Sequence, residues 1–358
     1  MPSLELDALT KTWPELTIRA SLTVPDSSLL VIAGPSGCGK STLLRMTAGL
    51  LDADGGRVLV GGSDVSGRSP KERGIGMVFQ DAALFPHLDA GGNVAYGLWG
   101  RGRSKRERLA EADRLLASVG LEGFGRRRID SLSGGERQRV ALARTLAVQP
   151  GIVLFDEPLS SLDPALRKRL RQDIRDEQRR FGLTAVYVTH DLEEALAVAD
   201  KLAVMDAGAI LQCGAPSELW ERPDSAGLAR FLGSGPCLPI VGHESGRVLT
   251  ADGNFPLASA SAPEGMPLAD GAYVFFGRGD AVLSDAPAVA GSGCFTARCM
   301  RADYAGDSVD CLMQSGDTLC TLRFPAARSP KPGSSARYAV PAENIRLLPK
   351  DDADLQSR

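Results

Sequence analysis

The apolar and polar positions of the first 200 residues follow two alternating patterns. Residues 4–24 alternate apolar and polar side chains, which is typical of strands with one face on the core and the other in water. Four later runs are continuously apolar, as in strands buried on both faces: 29–33, 76–79, 152–155 and 185–189. Apolar residues at helical spacing predict helices over 40–50, 105–119, 134–147, 164–181 and 192–199. Strands that alternate with helices predict an α/β core with a mostly parallel sheet.

Two segments depart from that alternation. The stretch from about 86 to 149 is mainly helical and predicts a helical subdomain within the α/β core. From residue 240 to 348, short alternating runs are separated by Gly, Pro and Asp, which predicts a smaller all-β, OB-like module. The change falls near Gly233–Pro239, so we expect domains at 1–235 and 236–350, followed by a polar tail at 351–358.

The composition excludes several classes of protein. With 358 residues, 43% of them hydrophobic, the chain is long enough for about two domains and too apolar for a disordered protein. Its net charge is −3, and the first 236 residues balance 30 basic against 30 acidic side chains, which disfavours a nucleic-acid binder. No apolar run approaches the ~20 residues of a membrane span and the N-terminus does not resemble a signal peptide, so we expect a cytosolic protein. The seven cysteines form no CxxC pair, which disfavours a disulfide framework or a zinc site.

The segment from Gly34 to Ser41 fits the phosphate-loop pattern GxxxxGK[ST] and lies between a predicted buried strand and a predicted helix. Its glycines let backbone N–H groups turn toward a phosphate at the positive end of the helix. The Lys40 ammonium suits the β- and γ-phosphate oxygens, and the Ser41 hydroxyl suits Mg²⁺. The candidate nucleotide-binding residues here are Gly34, Pro35, Ser36, Gly37, Cys38, Gly39, Lys40, Ser41 and Thr42.

Ionisable side chains follow two of the predicted buried strands. Asp156 and Glu157 end the run that begins at residue 152, and His190 follows residues 185–189. Asp156 is placed to reach Mg²⁺ beside the phosphate loop, while Glu157, whose side chain points the other way, is the candidate general base for an attacking water. A neutral His190 imidazole at the same sheet edge can hydrogen-bond a γ-phosphate, although a lone histidine after a strand is as often structural.

The heptapeptide Leu132–Gln138, LSGGERQ, opens a predicted helix. A Ser-Gly-Gly sequence at a helix N-terminus can bind an anion through its free backbone N–H groups. The alternative is an ordinary capping box, in which Ser133 caps the helix and Glu136 lies three residues further on. Physical chemistry alone favours the capping box.

Taken together, the motifs of residues 1–235 resemble those of the ATP-binding-cassette (ABC) ATPases and occur in that family's order. The matching elements are the Walker A residues Lys40 and Ser41, the Q-loop residue Gln80, the signature Leu132–Gln138, the Walker B residues Asp156 and Glu157, the D-loop Ser160–Asp163 and the switch histidine His190. The resemblance implies a protein with a P-loop NTPase fold that hydrolyses ATP with Mg²⁺. It implies that the catalytic residues are Lys40, Gln80, Glu157 and His190, and that the metal ligands are Ser41, Gln80 and Asp156.

The same resemblance implies how two copies of the chain combine. Two cassettes pair head to tail in a homodimer, so that ATP on one phosphate loop is covered by Ser133, Gly134 and Gly135 of the other. The resemblance also implies that the D-loop residue Asp163 is a nucleotide-binding residue. Trp13 occupies the position at which the family has an aromatic side chain stacked on adenine, with a structural tryptophan as the alternative.

The C-terminal module resembles the OB-like (TOBE) regulatory extension of solute-importer ATPases. That branch implies integral membrane permease subunits, an extracytoplasmic solute-binding protein, no nucleic acid, and a location at the cytoplasmic face of the cell membrane. Leu84–Leu88 resembles the surface that receives a permease coupling helix. Phe79–Leu88 and Asn93–Leu98 are most similar to ferric-iron importers, while importers of sulfate, polyamine, thiamine or sugar are alternatives. A soluble ABC ATPase of DNA repair or translation is a remote alternative, because the chain has one cassette and no heptad run.

Overall fold

A computed structural model describes residues 1–99, 102, 104–160, 164–257, 271–284 and 292–349. The chain divides into two compact units, Met1–Pro216 and Ser217–Arg358. No helix within these described ranges is both long enough and apolar enough to cross a lipid bilayer. The polar tail 351–358 and three residues of the predicted D-loop, 161–163, lie outside the described residues.

The described part of the first unit contains strands, α-helices and two short 3-10 turns, at Pro70–Glu72 and Ile129–Ser131. Its strands are β1 (Leu4–Thr12), β2 (Thr17–Val24), β3 (Leu29–Ala33), β4 (Gly55–Val60), β5 (Ser63–Asp64), β6 (Ile75–Val78), β7 (Ile152–Asp156), β8 (Thr184–Thr189), β9 (Lys201–Asp206) and β10 (Ala209–Gly214). Its helices are α1 (Lys40–Ala48), α2 (Ala90–Tyr96), α3 (Lys105–Ser118), α4 (Gly134–Ala147), α5 (Pro164–Phe181) and α6 (Leu192–Val198).

All these strands form one sheet in the order β5-β4-β1-β2-β10-β9-β3-β8-β7-β6. The stretch β9-β3-β8-β7-β6 is parallel, whereas β5-β4-β1-β2 and the β10–β9 pair are antiparallel. Every residue of β3, β7 and β8 is buried, which explains why their sequences are continuously apolar. Because these three strands run the same way, their carboxyl ends meet at one edge of the sheet.

Local sequence explains where several helices of this unit begin and end. Ser133 and Ser104 each cap a helix through a capping box, at α4 and α3. Helix α1 ends at Gly49, whose φ of 76° places it in the left-handed region that glycine adopts at low cost. The predicted α/β core is therefore built from residues whose local preferences agree with the fold.

The second unit is built mainly from strands, preceded by α7 (Pro216–Glu221), which starts at the boundary, and α8 (Ala226–Leu232). Its described strands are β11 (Cys237–Pro239), β12 (Gly242–Glu244), β13 (Arg247–Thr250), β14 (Gly253–Pro256), β15 (Tyr273–Phe275), β16 (Val282–Leu283), β17 (Gly293–Ala305), β18 (Ser308–Ser315), β19 (Thr318–Pro325), β20 (Ser335–Val340) and β21 (Arg346–Leu348). The larger sheet has the order β12-β13-β14-β17-β18-β19, with β20 pairing β17 and β16, and a smaller sheet has the order β11-β15-β21. Aromatic rings fill the core of the larger sheet: Phe255, Phe276, Phe295, Phe324 and Tyr338.

The compact units divide at 216/217, ahead of the sequence change at 235/236. Helix α8 accounts for the difference, because Ala226 and Ala229 pack against Cys237, Phe275 and Leu348 of the second unit. The boundaries at 235 and 350 mark changes in the sequence pattern, whereas the compact units are defined by contacts in space. The domain boundaries therefore remain predictions.

Candidate functional site

The phosphate loop connects β3 to α1 through a backbone that only glycine adopts readily. Gly37 and Gly39 have φ values of 82° and 107°. A Cβ at Gly34 would overlap the carbonyl oxygen of Met205, and one at Gly39 would lie 2.7 Å from Ile18 Cδ1. A side chain at Gly34 or Gly39 would therefore collide with neighbouring residues, and α1 begins directly after the loop at Lys40.

The Lys40 ammonium is held inside this loop. The side chain is only 4% exposed, and Nζ donates hydrogen bonds to the carbonyl oxygens of Gly34 at 2.8 Å and Pro35 at 2.7 Å. Burial raises the pKa of the neighbouring Cys38 thiol, although Lys40 acts in the opposite direction. The loop thus contains a buried cation beside a neutral thiol, which favours a bound anion.

Oxygen ligands meet where β3 and β7 end. The Ser41 hydroxyl donates a hydrogen bond of 2.6 Å to Asp156 Oδ1. Both residues line a cavity of about 730 Å³ that Gln80 also lines. The backbone carbonyl of Gln80 accepts a hydrogen bond from Gln138 Nε2 at 3.0 Å. A hydroxyl, a carboxylate and an amide are the hard ligands that Mg²⁺ prefers, so the donor set fits this ion together with phosphate oxygens.

Glu157 and His190 form a second pair at the same edge of the sheet. Glu157 Oε2 lies 2.9 Å from His190 Nδ1. Glu157 has a φ of 43°, which a non-glycine residue adopts at a cost of about 1–3 kcal/mol, and its N–H donates to the Val188 carbonyl at 3.1 Å. The His190 side chain is 45% exposed, so the pair faces solvent. The arrangement leaves a carboxylate and an imidazole able to contact a phosphate and a water.

A buried network behind His190 was not anticipated from the sequence. Glu194, on α6, accepts hydrogen bonds of 2.5 Å from both Tyr187 and Thr189. Thr189 also accepts the N–H of Asp191 at 2.9 Å, so this network holds both neighbours of His190. Burial raises the pKa of Glu194 in spite of these hydrogen bonds, and the phenol pKa of Tyr187 is raised well above its usual value by burial and by Glu194. The only signal in the sequence was a glutamate four residues after a histidine, which is too common to indicate a network.

The signature segment adopts the capping geometry. Ser133 Oγ accepts the N–H of Glu136 at 3.3 Å, and the Glu136 carboxylate accepts the N–H of Ser133 at 2.7 Å. Gly134 lines the cavity shared by Ser41, Gln80 and Asp156, whereas Ser133 does not. Ser133 is exposed, and the contact of Ser133, Gly134 and Gly135 with ATP on another subunit stays a prediction.

Trp13 and the segment Leu84–Leu88 lie at the surface of the first unit. Trp13 is 44% exposed, with Lys11 Nζ 5.5 Å from its ring centroid. It is not among the residues that line the cavity of Ser41, Gln80 and Asp156. The backbone of Phe85 is held by the Asn93 side chain, through hydrogen bonds of 2.8 and 3.1 Å. The adenine contact of Trp13 remains a prediction, and the predicted role of Asp163 concerns a residue outside the described ranges.

The fold and this site define a P-loop nucleotide-binding protein. Its phosphate loop, two carboxylates and a histidine lie at the same edge of a parallel sheet. A family profile described as "ABC transporter" matches residues 18–160. The chain is 52% identical over 219 residues to "Fe(3+) ions import ATP-binding protein FbpC" of Agrobacterium fabrum, over 61% of this chain and 62% of that protein. It is 47% identical over 251 residues to the protein of the same name in Brucella abortus, over 69% of this chain and 71% of that one. The chain belongs to the ABC transporter family, as its motifs predicted.

A solved structure supports the same fold. The protein cbiO1 from Clostridium perfringens, described as part of the ABC transporter complex cbiONQ, superposes with a TM-score of 0.56 at 26% identity, over 61% of this chain and 90% of that one. The predicted fold class, a P-loop α/β cassette followed by an all-β module, is confirmed by this match and by the strands of the second unit. The matched region spans 62% of the Agrobacterium protein and 65% of its Rhizobium meliloti relative, less than two thirds of either length.

Proposed function

We propose that this chain is the ATP-hydrolysing subunit of an importer, and that ferric iron is the imported solute. The observation that carries the ATPase proposal is the placement of two side-chain pairs, Ser41–Asp156 and Glu157–His190, at the ends of adjacent strands beside the phosphate loop. One pair suits a phosphate-bound cation, and the other suits an attacking water. Together they are the parts that hydrolysis of the β–γ phosphoanhydride bond of ATP requires.

Each residue has a role in this reaction. The backbone N–H groups of the loop and Lys40 bind the β- and γ-phosphates of ATP, and the carbonyls that hold Lys40 orient its ammonium. Ser41, Asp156 and Gln80 would hold Mg²⁺, which neutralises charge on the phosphate oxygens when it is bound. Glu157 accepts a proton from the attacking water, and His190 orients Glu157 while it contacts the γ-phosphate.

The import proposal draws on the relatives. Both the Agrobacterium and the Brucella proteins are named Fe(3+) ions import ATP-binding proteins. We extend that role to this chain together with a head-to-tail homodimer, in which Ser133, Gly134, Gly135 and Asp163 of one copy contact ATP on the other. Membrane permease subunits would hold the dimer at the cytoplasmic face of the membrane, with Leu84–Leu88 at the contact. The solute would reach the permease from an extracytoplasmic binding protein, and the second unit would act as an OB-like regulatory module.

The ATPase proposal is tested by Glu157→Gln, with Glu193→Gln as its matched control. Glu193 is an exposed glutamate on α6 close to the site in sequence. We expect Glu157→Gln to lower ATP turnover by about two to four orders of magnitude while nucleotide binding persists, because a general base contributes that much to the rate. Turnover is measured as phosphate release by the purified chain. Equal turnover in the two variants would refute the role of Glu157.

The solute is tested in a reconstituted complex of the chain with its permease and binding protein. We expect ferric iron to stimulate ATP hydrolysis and to accumulate inside vesicles. Stimulation by sulfate, a polyamine, thiamine or a sugar in place of iron would refute the iron proposal and leave the ATPase proposal intact. Stimulation by DNA or ribosomes without any permease would refute import.

A further inference from the structure

A polar cavity of about 230 Å³ lies wholly within residues of the second unit, between the end of α8 and strand β19. Two arginines, two threonines and two glycines contribute to its lining: Arg230, Arg278, Thr318, Thr321, Gly233 and Gly235. The other lining residues are apolar or cysteine, so the described part of the lining contains no carboxylate. The cavity therefore carries two positive charges and no compensating negative one among its described walls.

Aromatic rings hold both guanidinium groups. The Arg230 guanidinium lies 4.5 Å from the ring centroid of Tyr273, and that of Arg278 lies 5.5 Å from the ring centroid of Trp220. A cation–π contact attracts the charge of a guanidinium without supplying a hydrogen-bond acceptor for its N–H groups. Among the described residues, neither side chain has a hydrogen-bond acceptor or an ion-pair partner. Each guanidinium thus lies beside an aromatic ring, with no hydrogen-bond acceptor for it among the described residues.

The acidic group Asp310 does not neutralise Arg278. Asp310 acts on Arg278 electrostatically, but both of its oxygens accept hydrogen bonds of 2.7 Å from Arg323. Burial lowers the pKa of Arg278, with Arg323 acting in the same direction and Asp310 opposing it. A guanidinium nonetheless stays protonated in proteins. Arg278 is therefore a partly desolvated cation whose neighbouring carboxylate is already paired.

A structural role at the end of α8 accounts for only part of this charge. Arg230 lies in the last turn of α8, and the Arg278 guanidinium packs against Gly233, the residue that ends this helix with a φ of 62°. A Cβ at Gly233 would overlap Arg278 Nη2. The C-terminus of a helix carries a negative charge of about half an elementary unit at most, and α8 has only seven residues. Two full positive charges exceed what that helix end can balance.

We propose that this cavity is a binding site for a small phosphate dianion, either inorganic phosphate or a small phosphomonoester. Paired N–H donors of a guanidinium match the spacing of phosphate oxygens. A phosphate monoester carries a charge between about −1.5 and −2 near neutral pH, which balances the two arginines. The cavity is smaller than the ~300–1,000 Å³ of sites for drug-sized ligands, so the ligand is compact. This site goes beyond the proposed ATPase function and does not depend on it.

The test measures phosphate binding to the full chain with the phosphate loop disabled. Lys40→Ala removes the loop cation and so weakens the phosphate loop as a competing site, and the arginine variants then assign the binding that remains. Equilibrium dialysis with radiolabelled inorganic phosphate is one arm, and glycerol 3-phosphate is the other. Because no hydrolysis is measured, failure of this proposal is separate from failure of the ATPase proposal.

Arginine variants in the Lys40→Ala background assign the site. We expect Arg278→Gln and Arg230→Gln each to weaken binding by about tenfold or more, and Arg278→Lys to weaken it less, because lysine keeps the charge and loses the fork. Arg328→Gln is the matched control, since Arg328 is an exposed arginine of the same unit, and we expect a change within about twofold. Circular dichroism checks that each variant folds. If Arg278→Gln does not fold, the separate variants Arg278→Lys and Arg230→Gln still test the site.

The phosphate-binding measurements either support the site or overturn it. Saturable binding that both arginine substitutions weaken supports the site, and the tighter of the two probes identifies whether its ligand is inorganic or organic phosphate. No saturable binding of either probe up to about 10 mM, a concentration at which even weak sites fill, would overturn the proposal. Binding that is unchanged by both substitutions, or equally weakened by Arg328→Gln, would also overturn it.

Discussion

Replacing Tyr187 by phenylalanine tests the buried network behind His190. Tyr187 is 1% exposed, and its hydroxyl donates a hydrogen bond of 2.5 Å to Glu194 Oε1, while Thr189 donates one to Oε2. The substitution keeps the ring and its contact with Phe155, so the core stays filled. Its main effect is to remove one of two side-chain donors from a carboxylate that is 3% exposed.

The expected loss follows from the charge of the acceptor. A hydrogen bond to an ionised group contributes about 1.5–3 kcal/mol, so we expect Tyr187→Phe to lower the free energy of unfolding of the first unit by about 2 kcal/mol at neutral pH. For a domain of this size, each kcal/mol shifts Tm by about 2–4 °C, so the corresponding transition falls by about 4–8 °C.

The loss depends on pH in a defined direction. Burial raises the pKa of Glu194, so ionising this group costs stability as the pH rises from its unfolded pKa through its folded pKa. Tyr187 remains a donor across that range, because its own pKa is raised well above the usual value. Its hydrogen bond stabilises the ionised form of Glu194. The difference between parent and Tyr187→Phe is therefore greatest above the folded pKa of Glu194 and shrinks as acid protonates that group.

Urea denaturation at about pH 8 and about pH 5 measures this difference. Tyr96→Phe is the control, because Tyr96 is 54% exposed and its loss of a hydroxyl is expected to change the free energy of unfolding by less than about 0.5 kcal/mol. A loss below about 0.5 kcal/mol for Tyr187→Phe at pH 8, or a larger loss at pH 5 than at pH 8, would refute the reasoning.

Three further substitutions test other parts of the molecule. Gly39→Ala places a Cβ 2.7 Å from Ile18 Cδ1 at a φ of 107°, so we expect ATP affinity to fall by about tenfold or more in a fluorescent-nucleotide titration. Burial raises the pKa of Asp200, but hydrogen bonding to Arg175 outweighs it and holds that pKa below its usual value. The ionised Asp200 therefore stabilises the folded protein above the pKa that it has when unfolded, and this stabilisation is lost as the pH falls through its folded pKa. Asp200→Asn should therefore lower the urea midpoint at neutral pH and converge with the parent in acid, and a constant difference would contradict this. Phe295→Ala should lower the unfolding free energy of the second unit by about 3–5 kcal/mol by calorimetry, since this ring is 1% exposed, and a loss below 1 kcal/mol would contradict its place in the core.

Some elements with a strong local pattern were predictable to the residue, while others differ from the prediction by one or two residues at an end. Strand β3 occupies Leu29–Ala33 and helix α4 occupies Gly134–Ala147, as the apolar run and the Ser-Gly-Gly start indicate. Strand β9, Lys201–Asp206, was not predicted, although four of its six residues are buried. Its four-residue apolar run comes directly after the predicted helix 192–199, so it resembles the end of that helix as much as a strand, and only its pairing with β3 distinguishes the two.

The phosphate loop, the acidic pair at the end of β7 and the family itself followed from the sequence alone. Each motif behind them consists of residues close together along the chain, where spacing and residue type set the local backbone and its chemistry. The network of Tyr187 with Glu194 was beyond such reasoning, because its significance lies in burial that neighbouring strands and helices create. The same holds for the cavity of Arg230 and Arg278, which lie 48 positions apart in the chain. Only the tertiary structure shows which charges are left without a partner, because pairing depends on distances in space that the order of residues does not contain.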